Sequence, residues 1–524
     1  MKMGSHLPAG VEPDPLDAGH LNASPNPGHF SYKLLGMISW GVLVFSFVCL
    51  VLAPHLLLDI ARVVALYMTV RLVAFMVFYL AGLIRVRQAE KRLKAGGHDG
   101  VSNPDVTGNQ AVHHLVILPN FKEPQEILSR TLHFLSLMPQ ACDSITVVLA
   151  MEEREPEARV KAESLLAQYE NRFYRLLATF HPANLPGEAP GKGMNDTWAV
   201  RTARRELVDR LGIPPDRVVV TVADSDAILH PGYFTELSRQ FSLDPLRYSI
   251  LWQPPILLGN DIWRAHPPIR LMTFFSNAIS VGDYVNPLEA KFPYSTYSLS
   301  LKLLEEVDYW DPTLIAEDVN IYMRAFFKKG GKVSLRHLYL PVHCNPVYGA
   351  SLWHSFGIFY AQKVREGWGG AEIGYLVQKW NVPPRAPFLY KLGRLIKLFH
   401  DHLFFSIAGF LVALGTLLSI LLDHNPVITL PTHSSYTPLF ALLNLLGASA
   451  LVVIWFTERI RWSRGWSDWN LKTLAGEVAS WMIFPLLFFL MMNLPGLQAQ
   501  TSMLLGHPFS FNRTPKKFDS RMGE

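Results

Sequence analysis

Long apolar runs at both ends of the chain limit its architecture more than any other feature of the sequence. Residues 34–58 contain no acidic or basic side chain apart from His55, and residues 60–84 form a second run. Further runs occupy residues 403–422, 438–457 and 473–493. A helical run of about 20 residues crosses the roughly 30 Å hydrocarbon core of a bilayer. The sequence therefore predicts a globular part between two membrane-spanning regions.

The predicted organisation has five parts. They are a disordered tail (1–32), a two-helix transmembrane hairpin (33–84), a globular domain with interfacial helices (97–385), a C-terminal transmembrane region (386–504) and a basic tail (505–524). We expect the turn of the hairpin at Pro54–Asp59. We also expect residues 473–504 to be broken or re-entrant, because Pro485 and Pro495 interrupt this segment.

Basic residues flank the globular part at both of its membrane boundaries. They are Arg85, Arg87, Lys91, Arg92 and Lys94 after the second run, and Lys391, Arg394 and Lys397 before the third. Cytoplasmic loops carry an excess of Lys and Arg, so we expect the globular domain and the N-terminus on the cytoplasmic side of a plasma membrane or endomembrane. Arg71 lies inside the second run, where a charge is unfavourable and usually faces protein or water. Nucleic-acid binding is not indicated, because no basic and aromatic patch is recognisable.

Strand signals alternate with helical stretches in the globular part. His114–Leu118, Ile145–Ala150 and Arg217–Ala223 are short apolar runs typical of buried strands. An amphipathic stretch through Leu137 predicts one helix, and the charged stretch 152–177 predicts another. This alternation predicts an α/β fold with crossover units around a mostly parallel sheet.

Polar clusters follow the three predicted strands, and ligands bind at the carboxyl ends of the strands in such sheets. Residues 120–123 follow the first strand, residues 152–153 the second, and Asp224 and Asp226 the third. Two carboxylates with one spacer residue suit Mg²⁺ or Mn²⁺ bridged to a substrate diphosphate. The alternative is a solvated turn or helix cap; the preceding strand and the turn at 231–233 favour the metal site.

Two later groups complete the candidate site. Glu317 and Asp318 open an amphipathic stretch, either as a helix cap or as a general base that accepts the proton of an attacking sugar hydroxyl. The start of a helix favours the ionised form of Asp318. Gln362 and Arg365 share one helix face, Arg365 can bind phosphate oxygens, and Trp368 can pack on a sugar ring. This last group also fits an amphipathic interfacial helix.

Together these stretches resemble the family 2 glycosyltransferases, an inverting group with the GT-A fold, over roughly residues 112–370. The flanking apolar runs match its membrane-bound branch, which includes cellulose and hyaluronan synthases. The resemblance is carried by Pro119-Asn120-Phe121-Lys122-Glu123, Glu152 or Glu153, Lys192-Gly193-Met194-Asn195, Asp224 and Asp226, Glu317 and Asp318, Gln362, Arg365 and Trp368, and the basic Phe511–Lys517.

The resemblance implies a Rossmann-like GT-A domain with a mostly parallel mixed sheet, cytoplasmic and inserted between transmembrane helices. It implies Asp318 as the catalytic base with Glu317 beside it, and Asp224 and Asp226 as ligands of Mg²⁺ or Mn²⁺. The implied donor-binding residues are Asn120, Glu123, Glu152, Lys192, Asp224, Asp226 and Arg365, and the implied acceptor-binding residues are Gln362 and Trp368. Trp368 lies three residues after Arg365, whereas the tryptophan of processive members is adjacent to the arginine.

The predicted activity is transfer of a sugar from a UDP- or GDP-sugar to a growing polysaccharide, which leaves through the protein's own spans. Within the same class, the alternative is a single transfer to a lipid or another membrane acceptor. Outside it, the alternative is a transporter or channel with a nucleotide-sensing domain. Such a sensor would keep the diphosphate site but need no base at Asp318, so release of sugar from the donor separates the two classes.

Overall fold

The computed structural model describes residues 29–96, 111–183, 185, 188, 191–312, 316–423 and 437–507. The expected tail up to residue 28 and the basic segment Phe511–Lys517 lie outside the described residues.

Two long helices, α1 (Phe30–Leu52) and α2 (Pro54–Gly96), precede the globular part, and both are long and apolar enough to cross a membrane. The turn expected at Pro54–Asp59 is wrong, because the helices are separated only by Ala53. Pro54 begins α2 instead, which suits proline because the first helical N–H has no partner in the helix. The second helix also extends well beyond the predicted end of the hairpin at residue 84.

Ten strands form two sheets in the described part of the chain. They are β1 (His113–Asn120), β2 (Ile145–Glu152), β3 (Arg175–His181), β4 (Val218–Val222), β5 (Ile228–Leu229), β6 (Ile250–Gln253), β7 (Ile256–Leu258), β8 (Tyr297–Ser300), β9 (Ser334–His337) and β10 (Val342–Cys344). The larger sheet has the order β3-β2-β1-β4-β8-β6-β9, and the smaller has the order β5-β10-β7.

The larger sheet is mostly parallel, as predicted from the sequence. Strand β1 runs parallel to β2 and β4, β2 to β3, and β6 to β9, whereas β8 is antiparallel to both β4 and β6. The central strands are continuous apolar runs because both of their faces are covered. In β1, Leu115 and Ile117 enter one hydrophobic core, and Val116 and Leu118 enter the other.

Ten α-helices accompany the strands in the described part of the globular domain, and most of them contribute to one of the two cores. They are α3 (Gln125–Ser136), α4 (Ala141–Ser144), α5 (Ala158–Gln168), α6 (Lys192–Arg204), α7 (Tyr233–Leu243), α8 (Pro267–Gly282), α9 (Leu301–Glu306), α10 (Glu317–Lys328), α11 (Leu352–Gly367) and α12 (Ala371–Gln378). The single helix predicted over 152–177 is wrong at its C-terminal end. The chain leaves α5 at Gln168, turns through Asn171 in the left-handed region, and enters β3.

Five α-helices follow the globular part in the region that the structure describes. They are α13 (Phe388–Asp423), α14 (Thr437–Trp462), α15 (Leu471–Met482), α16 (Phe484–Phe488) and α17 (Leu494–Leu505). In the described residues, α13 is long and apolar enough to cross a membrane, and the helices from α15 to α17 pass the same test as a bent pair. Their 71° bend falls at Ile483, in the region where the prolines predict a break.

Helix α8 joins the globular domain to the long apolar helices. Gly82 of α2 packs so closely on α8 that a Cβ atom there would lie 2.4 Å from the carbonyl oxygen of Val281. On another side, Arg270 of α8 donates a hydrogen bond of 3.0 Å to the buried Glu477 of α15. Arg459 of α14 donates to the same carboxylate, so α8 contacts α2, α14 and α15 directly.

Candidate active site

The carboxyl ends of β1, β2 and β4 bring polar side chains to one edge of the larger sheet. Asn120 ends β1, Glu152 ends β2, and Asp224 and Asp226 follow β4. Glu152 is buried and lies 3.7 Å from the ring of His181. Burial alone would lower the pKa of His181, but its contacts with Glu152 and Glu188 raise it to about 9.

Glu155 organises the loop after β1, a role that the sequence does not reveal. Its carboxylate accepts hydrogen bonds from the Asn120 side chain at 3.2 Å and from the backbone N–H of Lys122 at 2.6 Å. Glu123 bonds within the same loop, accepting from the N–H of Phe121 at 2.8 Å. The buried carboxylate therefore fixes the loop that carries two predicted donor-binding residues.

Lys192 begins α6 and places its ammonium group between two predicted site residues. Its Nζ lies 3.0 Å from Asp224 Oδ1 and 3.3 Å from Glu317 Oε1. Burial lowers the pKa of Lys192, but Asp224 and Glu317 outweigh it and hold the pKa well above its usual value. A Cβ atom at Gly193 would lie 3.2 Å from that of Glu317, so glycine lets α6 begin close to this acid.

Ser295 connects the lysine to both groups of carboxylates. Its hydroxyl donates to Asp224 Oδ2 at 2.6 Å, its N–H donates to Asp318 Oδ2 at 3.0 Å, and its carbonyl accepts from Lys192 at 3.2 Å. Its φ of 58° lies in the left-handed region, which is uncommon for a residue with a Cβ atom. Sequence analysis missed Ser295, because nothing distinguishes it from an ordinary loop serine.

Gln253, at the end of β6, fixes the backbone on both sides of Ser295. Its fully buried amide accepts from the N–H of Tyr294 at 3.0 Å. The same amide donates to the carbonyls of Tyr294 at 3.1 Å and Thr296 at 3.0 Å. Strained backbone conformations persist where the surrounding contacts determine them in this way.

Glu317 and Asp318 form the first turn of α10, as the sequence predicts. Burial raises the pKa of Glu317 to about 7, although Lys192 opposes the change. Burial also raises the pKa of Asp318, against the effects of Lys192 and of the N–H groups of Ser295 and Val319. Burial therefore outweighs the effect of the helix start, which was expected to favour the ionised form of Asp318. A raised pKa strengthens a carboxylate as a proton acceptor.

Asp224 and Asp226 fit a divalent cation that is shared with a diphosphate. Asp226 accepts the N–H of Asn345 at 2.9 Å, while Asp224 accepts from Lys192 and Ser295. A carboxylate has about four lone-pair directions, so one that accepts hydrogen bonds can also ligate a cation. Within the described chain, no group of three His, Cys, Asp or Glu side chains could hold an ion alone. A bound ion would therefore need oxygen ligands from the donor or from water as well.

The predicted acceptor group lies on and just after α11. Gln362 donates to Glu366 of the same helix at 3.1 Å, and Arg365 lies in the last turn. Trp368 follows the helix end and packs against the core on one side of the sheet. The hydrogen bond from Gln362 to Glu366 is thus local to α11. By contrast, contacts with Ser295 and Lys192 bring together Asp224, Asp318 and Glu317.

Asp196 is a buried acid near this site that sequence analysis did not identify. It is fully buried in α6, and neither carboxyl oxygen has a hydrogen-bond partner in the described part of the chain. Burial raises its pKa well above the usual value, and Glu317 and Asp224 add to this rise, while Lys192 opposes it. Asp196 therefore keeps its proton to a higher pH than an exposed aspartate does.

The family assignment agrees with this geometry. Residues 219–494, more than half of the chain, match the sequence model described as glycosyl transferase family group 2. The chain therefore belongs to this family, and it is a glycosyltransferase whose globular domain has the GT-A fold. The transporter alternative is thereby set aside. No curated protein sequence matches the chain.

Three solved glycosyltransferase structures illustrate the similarity in fold. A mannosyltransferase from Pyrobaculum calidifontis, in complex with GDP-Man and Mn²⁺, is 12% identical and aligns over 78% of this chain and 98% of its own, with a TM-score of 0.37. Glucosyl-3-phosphoglycerate synthase from Mycobacterium tuberculosis, in complex with UDP, is 16% identical. It aligns over 50% of this chain and 80% of its own, with a TM-score of 0.29. GalNAc-T7, with UDP, GalNAc and Mn²⁺, is 12% identical. It aligns over 56% of this chain and 58% of its own, with a TM-score of 0.32. At these TM-scores, the assignment of this chain rests on its own sheet and on the family match.

The buried acid Asp196 gives a pH-dependent prediction. Its pKa is raised above the value of about 3.9 in the unfolded chain, so the folded state loses stability as the pH rises between the two values. We expect Asp196→Asn to unfold at a temperature that depends less on pH between about 5 and 8, and to exceed the wild type in stability at the upper end. Thermal unfolding in detergent measures this.

The matched control is Asp209→Asn, which removes an exposed carboxylate paired with Arg204. This variant should keep the pH dependence of the wild type. If Asp196→Asn also kept it, Asp196 would be an ordinary ionised aspartate in the folded protein.

Proposed function

We propose that the protein is a metal-dependent inverting glycosyltransferase that transfers a sugar from a nucleoside diphosphate sugar to a growing polysaccharide. The observation that carries the proposal is the convergence on Ser295. Ser295 forms hydrogen bonds with Asp224 of the proposed diphosphate site, with Lys192 and with the candidate base Asp318. This arrangement supports a leaving-group site beside a proton acceptor.

The donor half of the site consists of the residues at the ends of the parallel strands. Asn120, Glu123 and Glu152 are proposed to contact the nucleotide of a UDP- or GDP-sugar. Mg²⁺ or Mn²⁺ bound at Asp224 and Asp226 would neutralise charge on the leaving diphosphate. Lys192 and Arg365 are proposed to add positive charge to the diphosphate oxygens. Lys192 lies at the start of α6, and Arg365 lies in the last turn of α11. These helices keep the two side chains in place during transfer.

The acceptor half of the site centres on Asp318. Its carboxylate takes the proton of the acceptor hydroxyl as the oxygen attacks the anomeric carbon and the bond to the diphosphate breaks. Attack from the face opposite the leaving group inverts the anomeric configuration in a single displacement. Glu317 shares the electrostatic field of Lys192 and helps to set the charge of this pair.

The acceptor is proposed to approach along α11, where Gln362 and Trp368 lie. This helix packs against α17 of the C-terminal helices, which supports delivery of a polysaccharide to the membrane spans. The basic flanks of the domain support a cytoplasmic orientation for residues 97–385, between spans of an integral membrane protein. Single transfer to a lipid acceptor, presented by the surrounding membrane lipids, is the alternative for the same site.

Metal dependence is the first test of this proposal. EDTA should abolish transfer, and Mg²⁺ or Mn²⁺ should restore it, because Asp224 and Asp226 need a cation to hold a diphosphate. Asp226→Asn should remain folded but inactive in the presence of either ion. The measurement is nucleoside diphosphate release from a panel of UDP- and GDP-sugars, with thermal unfolding as the control for folding. Full activity in chelator would exclude the metal.

Asp318→Asn tests the catalytic base. The amide keeps the shape and one acceptor oxygen, but it cannot take a proton, so transfer should fall by about 10²- to 10⁴-fold. Expression and donor binding should stay near normal, measured by calorimetric titration with the nucleotide. Asp226→Asn is the matched control, because it should lose donor binding as well. Retained transfer in Asp318→Asn, or an equal loss of donor binding in both variants, would assign Asp318 to another role.

A further inference from the structure

The segment of residues 283–295, here called the tether, joins α8 to β8 and carries Ser295 at its end. The tyrosines near the two ends of the tether contact each other; Tyr284 is buried and Tyr294 is partly buried. Tyr284 and Tyr294 stack at a ring distance of 5.9 Å with an interplanar angle of 8°. The hydroxyl of Tyr294 also donates to Ser280 of α8 at 2.6 Å. The two ends of the tether therefore contact each other, and one of them also contacts α8. Through these contacts, a displacement of one end is expected to displace the other.

The outer part of the tether is bound to two membrane helices by ion pairs. Glu289 accepts from Arg71 of α2 at 2.6 Å and from Lys397 of α13. Asp283 lies 3.2 Å from Lys291 and 3.8 Å from Lys397. The side chains of Glu289 and Lys397 are only 15% and 11% exposed, so these contacts are shielded from water and from the screening that weakens surface pairs.

The position of Arg71 along α2 explains why it needs an anionic partner. It lies 17 residues from Pro54, which is about 26 Å along a helix and close to the roughly 30 Å thickness of a hydrocarbon core. A charge at this level is unfavourable unless it is paired or hydrated. Glu289 supplies the pairing charge from the globular domain. The preceding residue of the tether, Leu288, is an apolar side chain that is 85% exposed.

The inner end of the tether is the part of the molecule where the candidate catalytic groups meet. Ser295 contacts Asp224, Asp318 and Lys192, and Gln253 holds the residues on either side of it. The left-handed backbone of Ser295 depends on its surroundings, because the residue does not favour this conformation by itself.

We infer that Glu289 is a positioning residue for sugar transfer: by fastening the tether to α2 and α13, it holds Ser295, and through it Asp318 relative to Asp224. The inference rests on the proposed function, which assigns the base to Asp318 and the diphosphate site to Asp224. Glu289 does not touch either carboxylate in this arrangement. It acts through the tether, so its loss changes the geometry of transfer and leaves the nucleotide-binding loop after β1 intact.

The test compares Glu289→Gln with a matched variant in the full-length protein reconstituted in nanodiscs. Because a misplacement of about 1 Å in reacting groups can reduce rates about 100-fold, we expect kcat to fall by about 10- to 100-fold, with KM for the nucleotide sugar within about twofold of the wild type. The control is Glu306→Gln, which removes the partner of Lys329 at the far end of α10. This control should retain the kcat of the wild type.

Arg71→Gln should lower kcat less than Glu289→Gln does, because Glu289 keeps its contact with Lys397. The double variant should be no worse than Glu289→Gln alone, because that change already removes the contact with Arg71. Amide hydrogen exchange provides a readout that needs no activity. In Glu289→Gln, the N–H groups of residues 294–296 should exchange faster than in the wild type, whereas the strand amides of β1 should be unchanged.

Wild-type kcat and unchanged exchange at residues 294–296 in folded Glu289→Gln would overturn the inference. A rise in donor KM with normal kcat would overturn it as well. If Glu289→Gln does not fold, Glu289→Asp replaces it in the test, because it keeps the charge on a shorter side chain. A wild-type kcat in Glu289→Asp would likewise overturn the inference. A wild type that transfers no sugar would refute the proposed function, and the exchange measurement would still decide the coupling.

Discussion

The ammonium group of Lys192 makes this arrangement of carboxylates possible. It lies within 3.3 Å of both Asp224 and Glu317, and Asp196 and Asp318 share its electrostatic field. Without a cation at this point, the burial of several acids would favour protonation or separation of these groups. Under the proposed function, the diphosphate of a donor would bring negative charge of its own together with a divalent cation, and it would redistribute the contacts of Lys192. Lys192 thus balances the negative charge of the site before a donor binds, and its positive charge is also available to the leaving group.

The fold explains how residues so distant in sequence reach this point. Parallel strands end at one edge of the sheet, which brings together the loop after β1, the end of β2 and the two aspartates after β4. The remaining groups come from helix starts: Lys192 opens α6, and Glu317 opens α10. The tether then connects this edge to α2 and α13. Ion pairs of Glu289 with Arg71 and Lys397 thus join the candidate active site to two long apolar helices.

Sequence patterns predicted the parts of this structure that depend on local chemistry. The apolar run before Asp224 identified a buried strand, and the acidic pair at Glu317 identified the start of a helix. The helix predicted over 152–177 failed at its end, because Asn171 turns the chain by a left-handed backbone conformation that charge patterns do not report. The hairpin turn at Pro54 failed because proline can begin a helix as readily as it ends one.

The sequence could not identify residues whose roles depend on tertiary contacts. Ser295 has an unremarkable sequence context, and its importance arises from three contacts with residues far along the chain. Asp196 reads as a polar position of a helix, whereas the structure buries it completely. The direction of the pKa shift at Asp318 also depended on burial, which outweighs the helix dipole that the sequence reveals.

The stereochemistry of transfer tests the account most directly, because a single displacement assisted by Asp318 permits one outcome. The purified protein is offered α-linked UDP-glucose, UDP-N-acetylglucosamine and GDP-mannose with Mn²⁺, and mass analysis identifies the donor that is used. The anomeric configuration of the first product is then read by NMR. The account predicts a β-linked sugar from the α-linked donor; an α-linked product would contradict the direct displacement and the role of Asp318 as its base.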